Sequence, residues 1–339
     1  MSARTAWLRR CAGALALLSA AGTVRAQTHL VIVSGLGGER KYSDEFRALS
    51  QSLAEAAVKR FGIPQVDVLW FGEDSSSRQP YFSGQSTKVN IERALTQLAA
   101  KAGSGDQIVL VLIGHGSGDG ENSKISIPGP DLSATDFARL LGQFRSQHIA
   151  FIDMTSASGD MLPIVAAPNR VIITATKSSF ERNEAHFARF FIDALTKDVA
   201  DVDKDGRISL LEAFTYATSE TKRLYESDSR LQTEHAQLDD AGTKSGVSEP
   251  DGRTTGLLAR RFFLDGGRVA SLAGGASDPQ LAALYKDKFA LEDQINQLRG
   301  KKASMSEDAY DDALEALLVQ LARKAKSIRE LEGAGGRKS

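Results

Sequence analysis

Gln107–Ile113 has the sequence QIVLVLI and runs directly into Gly114-His115-Gly116-Ser117. Valine, isoleucine and leucine at successive positions indicate a strand that is covered on both faces, as in a parallel sheet. Four other runs have the same character, and we expect each of them to be a strand as well: His29–Ser34, Val66–Phe71, His148–Met154 and Arg170–Ala175.

Helical periodicity fills most of the intervals between these runs. Strands that alternate with helices build a parallel sheet through right-handed crossovers. The sequence therefore predicts an α/β protein with a doubly wound, mostly parallel sheet and helices on both faces. The helical patterns lie near Ser43–Phe61, Val89–Ala102, Ser133–Phe144 and Glu184–Leu195.

The first 26 residues differ from the rest of the chain. Arginines precede an apolar run, Cys11–Gly22, and Val24-Arg25-Ala26 provides a small-x-small cleavage site. A run of this length is too short to span a bilayer but is typical of a secretory signal peptide. We expect residues 1–26 to be removed on export, so that the mature protein is periplasmic or secreted.

Removal of the signal would change both the charge and the cysteine content. The chain has 42 basic and 43 acidic residues, and loss of the four arginines before Gln27 leaves 38 against 43, a net charge of −5. An acidic balance disfavours nucleic acid as a partner. Because Cys11 is the chain's one cysteine, the mature protein would have neither a disulfide nor a thiolate nucleophile. No second apolar stretch has the length of a membrane span.

Residues 201–212, DVDKDGRISLLE, have the spacing of an EF-hand calcium loop. Such a loop supplies oxygen ligands from positions 1, 3, 5, 7, 9 and 12, with glycine at position 6 for the turn. We expect Ca²⁺ to bind here as a structural clamp, and a solvated acidic turn that opens a helix is the alternative. The ligand positions hold Asp201, Asp203, Asp205, Arg207 through its backbone carbonyl, Ser209 and Glu212.

Two of the expected strands end in segments that carry reactive side chains. Gln107–Ile113 leads into His115-Gly116, and the run that ends at Met154 leads into Thr155-Ser156-Ala157-Ser158-Gly159. Sheets of this kind bind ligands in the crevice outside the carboxyl ends of their strands. The two segments are therefore candidates for one functional site.

Together the two segments resemble the caspase and legumain group of cysteine peptidases. In that group a His-Gly pair ends one strand, and an acid-x-Cys-x-Ser-Gly segment ends the next. His115-Gly116 is similar to the first motif, and Asp153 with Ser158-Gly159 is similar to the second. The resemblance covers about Thr28–Leu195 and implies a caspase-like domain, which we place at residues 27–265 with the calcium loop inside it.

The departure from that group lies at the nucleophile, where Thr155 or Ser156 replaces cysteine. A hydroxyl is far less acidic than a thiol and needs a base that is itself oriented by a third group. Asp119 and Asp153 are the candidates for orienting His115. The other histidines lack metal-ligand spacing and are expected at the surface or at caps: His29, His148, His186 and His235.

The calcium loop and the altered nucleophile position are compatible with two functions. The first is a calcium-binding pseudoenzyme with a peptidase fold, a binding or scaffold module that holds a peptide or protein ligand near His115. The alternative is a serine-dependent peptidase or hydrolase that uses Ser156 and His115. The two differ in whether the crevice holds an oriented base.

The end of the chain has a different pattern. Residues 266–277 have the composition of a linker, and apolar residues then recur at three- and four-residue steps. The pattern predicts a helical hairpin or coiled coil over residues 278–332, with Lys288 and Lys324 in its seams. Such a hairpin would offer a surface for self-association or for a partner helix.

Overall fold

The computed structural model describes most of the chain after the first 26 residues. The expected signal peptide, the expected linker and loop positions Asp203 and Asp205 lie outside the described residues. Those residues are 27–183, 185–197, 199–202, 207–252, 254–264, 279–300 and 302–335.

Strands in the described residues form two sheets. The larger has seven strands in the order β3-β2-β1-β4-β8-β9-β10, all parallel to their neighbours except β10, and the smaller pairs β5, β6 and β7 antiparallel. The strands are β1 (Thr28–Ser34), β2 (Val68–Gly72), β3 (Phe82–Gln85), β4 (Gln107–Ile113), β5 (Gly116–Ser117), β6 (Lys124–Ile125), β7 (Leu132–Ser133), β8 (His148–Asp153), β9 (Arg170–Thr174) and β10 (Gln237–Asp239).

Helices of the described residues cover both faces of the large sheet and continue beyond it. They are α1 (Arg40–Lys59), α2 (Lys88–Lys101), α3 (Ala134–Leu141), α4 (Leu162–Val165), α5 (Phe187–Thr196), α6 (Leu210–Ser227), α7 (Pro279–Gly300) and α8 (Glu307–Gly335). None of these helices combines the length and the hydrophobicity that crossing a membrane requires.

Alternate residues of the central strands serve two separate cores. Leu30 and Ile32 of β1 pack with α1, α5 and α6 on one face, where Phe191 and Phe214 are fully buried. Val31 and Val33 pack with α2, α3 and α4 on the other face. Because side chains alternate across a strand, an apolar run buried on both faces supplies both cores. The prediction of a doubly wound α/β arrangement is confirmed at this level.

The five expected strands correspond to β1, β2, β4, β8 and β9. The sequence patterns missed the two edge strands, β3 and β10, and the small sheet. Phe82–Gln85 is only partly buried and has the sequence FSGQ, while Gln237–Asp239 has three residues. Edge strands are short and bury less surface, so they lack the continuous apolar run of a central strand.

Helices α7 and α8 pack against each other through Leu291, Ile295 and Leu321. The two lysines of the expected seam have different roles. The ammonium of Lys324 lies 2.6 Å from the Asp287 carboxylate of the opposite helix. Lys288 is buried and lies against the α/β part, 5.7 Å from the centroid of the Phe263 ring.

The helical pair also contacts the segment around the expected calcium loop. The guanidinium of Arg207 lies 3.7 Å from the centroid of the Phe263 ring and donates a 2.8 Å hydrogen bond to the hydroxyl of Tyr285 on α7. Arg260 donates to the Glu292 carboxylate of the same helix. Since Tyr285 is almost fully buried, α7 covers part of the α/β surface.

Candidate functional site

The order of the central strands creates a crevice at the carboxyl ends of β1 and β4. The chain leaves β1 for α1 on one face and leaves β4 for the small sheet and α3 on the other. The two loops separate at this switch point, where sheets of this type bind ligands. At their roots they stay close, because the Gly35 amide donates to the Ile113 carbonyl at 2.8 Å.

His115 lies at this crevice, one residue beyond Gly114. Its ring makes edge contacts with Tyr42 and Phe46, at centroid distances of 4.9 and 5.1 Å. Among the described residues, no carboxylate forms a hydrogen bond with the imidazole of His115. Neither of the two candidates for orienting this ring, Asp119 and Asp153, forms a hydrogen bond with it, and aromatic packing holds the ring instead.

Asp153, at the end of β8, is committed to its own turn. Its Oδ1 accepts hydrogen bonds from the amide and the hydroxyl of Thr155, at 3.0 and 2.7 Å. Its Oδ2 is buried and has no hydrogen-bond partner among the described residues. Complete burial raises the pKa of Asp153 from 3.8 to about 7, although the bonds from Thr155 oppose the shift.

The same turn distinguishes its three hydroxyl groups. Thr155 is fully buried and donates to Asp153. Ser158 is also fully buried, and its Oγ accepts from the amides of Ala175 and Thr176 at 3.1 and 3.2 Å. Ser156 is the hydroxyl of this turn that reaches the crevice, where it lines one cavity together with His115.

Ser156 is held by the loop that carries His115. The Gly116 amide donates to Ser156 Oγ at 3.3 Å, and no hydrogen bond joins Ser156 to the His115 ring in the described part of the chain. A β-carbon at Gly116 would lie 2.1 Å from the Ser156 carbonyl oxygen. Glycine after the histidine is therefore required for the two loops to meet, which gives the His-Gly pair a structural reason.

The expected calcium ligands are only partly described. Asp201, Arg207, Ser209 and Glu212 lie in the connection between α5 and α6 or in its first turn. The Glu212 carboxylate accepts from the Ser209 amide and hydroxyl at 2.9 and 2.8 Å and from the Val202 amide at 3.1 Å. Ser209 and Glu212 form a capping box at the start of α6. Over the described residues, no group of three or more metal-binding side chains occurs.

His235 was expected at the surface or at a cap, and it is partly buried and paired with a carboxylate. His235 Nδ1 lies 2.5 Å from Glu181 Oε1, and the other oxygen of this carboxylate accepts from the amides of His235 and Lys177 at 3.0 and 2.9 Å. The Glu181 carbonyl accepts from the Ala157 amide at 2.9 Å. This histidine therefore ties the segment before β10 to the Ser156 turn.

Neighbouring acids of the same segment stabilise backbone groups. Buried Glu234 accepts from the amides of His186 and Phe187, at 2.8 and 3.1 Å, where α5 begins. Burial raises the pKa of Glu234 above its ordinary value. Asp239 and Asp240 accept backbone amides of the loops that follow. The sequence signal that could have indicated these roles was the pairing of polar residues, Glu234-His235 and Asp239-Asp240, close to a stretch of loop composition.

His29 corrects a prediction, since it lies neither at the surface nor at a helix cap. It is buried at the amino end of β1, between the carboxylates of Asp67 and Asp106. His186 does stand at the cap position of α5. His148 is partly buried, and burial lowers its pKa.

Comparison with known proteins gives distant similarities to solved structures. The chain matches no protein-family model and no curated protein. A crystal structure of protein GSU0716 from Geobacter sulfurreducens is similar over 57% of this chain and 89% of that chain, with 11% sequence identity and a TM-score of 0.39. A similarity of this size indicates neither a family nor a function.

Proposed function

We propose that this is an exported, calcium-binding protein with a caspase- or legumain-like peptidase fold, and that its crevice binds a peptide without hydrolysing it. The observation that carries the proposal is the state of the two candidate catalytic groups. Ser156 Oγ accepts from the Gly116 amide, and the His115 ring is packed by aromatic side chains without a carboxylate partner among the described residues. A hydroxyl nucleophile needs an oriented base, and this crevice has none in the described residues.

The arrangement of the crevice supports peptide binding. His115 and Ser156 follow adjacent parallel strands, β4 and β8, as the resemblance to the peptidase group implies. Recognition of a peptide carbonyl by backbone amides does not depend on a thiol, so the loss of the cysteine leaves this mode of binding intact. Binding of an extended peptide therefore does not require the chemistry of cleavage.

Calcium binding is supported by the helices that flank residues 201–212. Phe187 and Phe191 of α5 pack with Phe214 of α6, so that the two helices hold the ends of the loop together. The carboxylate of Glu212 already points back to the start of the loop, where it accepts from the Val202 amide. A preformed pair of helices reduces the entropy that a metal must offset on binding.

The crevice is tested with peptides that carry Asn, Asp, Arg or Lys at their centre. We expect fluorescence anisotropy to detect binding, and chromatography of the same mixtures to find no cleavage, with or without calcium. His115→Ala should weaken binding, whereas Asp228→Asn at the exposed end of α6 should not. Failure of every peptide to bind would remove the proposal.

Calcium is tested by its effect on unfolding. A ligand at 100 times its dissociation constant raises the free energy of unfolding by about 2.7 kcal/mol if it binds the folded state alone. We expect Asp201→Ala and Glu212→Gln each to remove most of this gain, and Asp228→Asn to retain it. Equal unfolding in calcium and in chelator would show that the loop is a solvated turn.

The alternative function, a serine-dependent hydrolase, is favoured by one observation: Ser156 and His115 line the same cavity. Turnover that disappears in both Ser156→Ala and His115→Ala would establish it. Loss in Thr155→Ala would not by itself do so, since that hydroxyl stabilises the turn through Asp153. Ser156→Cys tests whether a thiol restores cleavage to the same crevice.

Export is tested on the protein recovered from the producing cell. We expect mass spectrometry of the exported form to place the first residue at Gln27 or within a few positions of it. Iodoacetamide should then leave the mass unchanged, because Cys11 precedes that site. A mature chain that still reacts with iodoacetamide would overturn both expectations.

A further inference from the structure

A second cavity opens beside the crevice, at the carboxyl ends of β1 and β2. Its volume is about 240 Å³, which suits a single side chain rather than a whole drug-sized ligand. Phe46 lines both this cavity and the one that contains His115 and Ser156. A residue bound at the crevice can therefore place its side chain, or that of a neighbouring residue, in the second cavity.

Aromatic rings form the inner wall of this cavity. Trp70 and Phe82 meet edge to face, with ring centroids 5.5 Å apart. The indole N–H of Trp70 donates to Ser34 Oγ at 3.0 Å, which fixes the orientation of its ring. A fixed aromatic wall accommodates an apolar stem, and the faces of such rings attract cations.

Carboxylates stand at the mouth of the cavity. Glu73 Oε2 accepts from the Ser43 hydroxyl at 2.7 Å and from the Gly37 amide at 3.3 Å. Its Oε1 accepts no hydrogen bond from the described residues. Asp74 is positioned by the Ser76 amide and hydroxyl, at 2.8 and 2.7 Å. Hydrogen bonds from Ser76 hold the pKa of Asp74 below its ordinary value, so it stays ionised.

The charge balance of the lining favours a cationic occupant. The lining contains two carboxylates, Glu73 and Asp74, and one guanidinium, that of Arg47, while Arg78 lies outside the lining and also acts on Asp74. Arg47 is itself paired with the carboxylate of Asp44, one turn earlier on α1. The cavity therefore has a net acidic mouth and an aromatic interior.

We propose that this cavity binds the basic side chain, lysine or arginine, of a peptide held in the crevice. The inference rests on the proposed function and adds the class of peptide to it. The stem of the basic residue would pack on Trp70 and Phe82, and its charged end would meet Glu73 and Asp74. An uncharged side chain of the same length would keep the packing and lose the charge contacts.

The test uses four labelled peptides that differ only at one central residue: arginine, lysine, citrulline or norleucine. Binding is measured by fluorescence anisotropy on the mature protein at fixed ionic strength, because surface electrostatics depends on salt. We expect the arginine and lysine peptides to bind about tenfold more tightly than the two neutral peptides. Equal dissociation constants for all four would overturn the cavity's role and leave peptide binding intact, whereas absence of all binding would refute the proposed function.

Two variants separate the cavity from the overall charge. Glu73→Gln combined with Asp74→Asn should abolish the preference for basic peptides, and Glu55→Gln with Glu226→Gln changes the net charge equally at distant, solvent-facing sites. Loss of the preference in the distant pair as well would show long-range attraction and refute the cavity. Glu73 also accepts a hydrogen bond from the Gly37 amide, so its substitution can disturb the loop. The single variant Asp74→Asn avoids this effect, because Asp74 is exposed. We expect it to reduce the preference for basic peptides about threefold without altering the melting temperature.

Discussion

His29 and His115 lie at opposite ends of the central strands, His29 at the amino ends and His115 at the carboxyl ends, and their surroundings differ. His29 is buried at the amino end of β1, with Nδ1 2.9 Å from Asp67 Oδ1 and Nε2 3.2 Å from Asp106 Oδ2. His115 follows the carboxyl end of β4, is only partly buried and packs against Tyr42 and Phe46. One histidine is enclosed by acids, and the other is held by rings.

The difference separates a structural role from the binding role that we propose for His115. Both ring nitrogens of His29 lie within hydrogen-bond distance of carboxylates, so the ring joins β1 to the segments that carry Asp67 and Asp106. Asp67 is also paired with Lys101 at 3.2 Å, which extends the network to α2. The crevice side of His115 has no such network in the described residues, which leaves its ring available to a ligand.

The largest expected effect on the free energy of unfolding lies at the amino ends of the central strands. Asp106→Ala removes a partner of His29 and the acceptor for the amides of Gln27 and Gly103. Each buried or partly buried donor that loses its acceptor costs about 1–3 kcal/mol, and Asp106→Ala removes the acceptor of several, so we expect a loss of about 3 kcal/mol or more. Urea denaturation should show this loss of unfolding free energy. By contrast, Asp119→Ala, beyond the carboxyl ends of the strands, should cost less than about 0.5 kcal/mol. A small effect of Asp106→Ala would remove the structural role of the network.

A second effect, a pH dependence of the free energy of unfolding, is expected at the carboxyl ends of the central strands. The pKa of Asp153 is about 7 in the folded protein and near 3.8 when unfolded, so the folded state binds the proton more tightly. Stability must therefore fall as the pH rises from about 4 to 7 and then stay at the lower level. Between pH 5 and pH 8 this fall amounts to about 3 kcal/mol.

Asp153→Asn removes the ionisation and should remove this fall. The check is the free energy of unfolding of both proteins at pH 5 and pH 8, compared as a difference of differences. The other titrating groups are common to the two proteins, so their contributions cancel. An identical pH dependence in the variant would show that Asp153 stays ionised in the folded state.

A smaller effect is expected at the histidine of the crevice. His115→Ala loses two edge contacts with aromatic rings, which are worth about 0.5–1.5 kcal/mol when fully packed. Because His115 is only partly buried, we expect a loss of at most about 1 kcal/mol in the same denaturation experiment. A loss as large as that of Asp106→Ala would mean that His115, like His29, has a structural role.

The smallest effect is expected at Lys101. Its ammonium pairs with Asp67, but about half of its side chain is exposed to solvent. Exposed ion pairs contribute about 0.2–1 kcal/mol, and salt screens them. Lys101→Gln should therefore cost about 0.5 kcal/mol at low ionic strength and less at high salt. A salt-independent loss would place Lys101 inside the buried network rather than at its margin.

The central strands could be predicted from the sequence because burial on both faces leaves a continuous apolar run. Gln107–Ile113 was predicted with its observed bounds, and the other four runs deviate by one or two residues at their ends. The ends of β4 and β8 also placed His115 and Ser156 near one crevice. The edge strands β3 and β10 could not be predicted, since a short, half-covered strand has no periodic apolar pattern.

What each polar side chain does was decided by the tertiary structure. The partners of His29 lie 38 and 77 residues away, and Ser158 stabilises amides 17 and 18 residues further along the chain. The choice among Thr155, Ser156 and Ser158 depends on which hydroxyl the neighbouring loops cover. Strand and helix patterns are local, because backbone geometry repeats every two or 3.6 residues. Hydrogen bonds between loops have no such period, so only the folded chain determines which histidine is enclosed and which one faces the crevice.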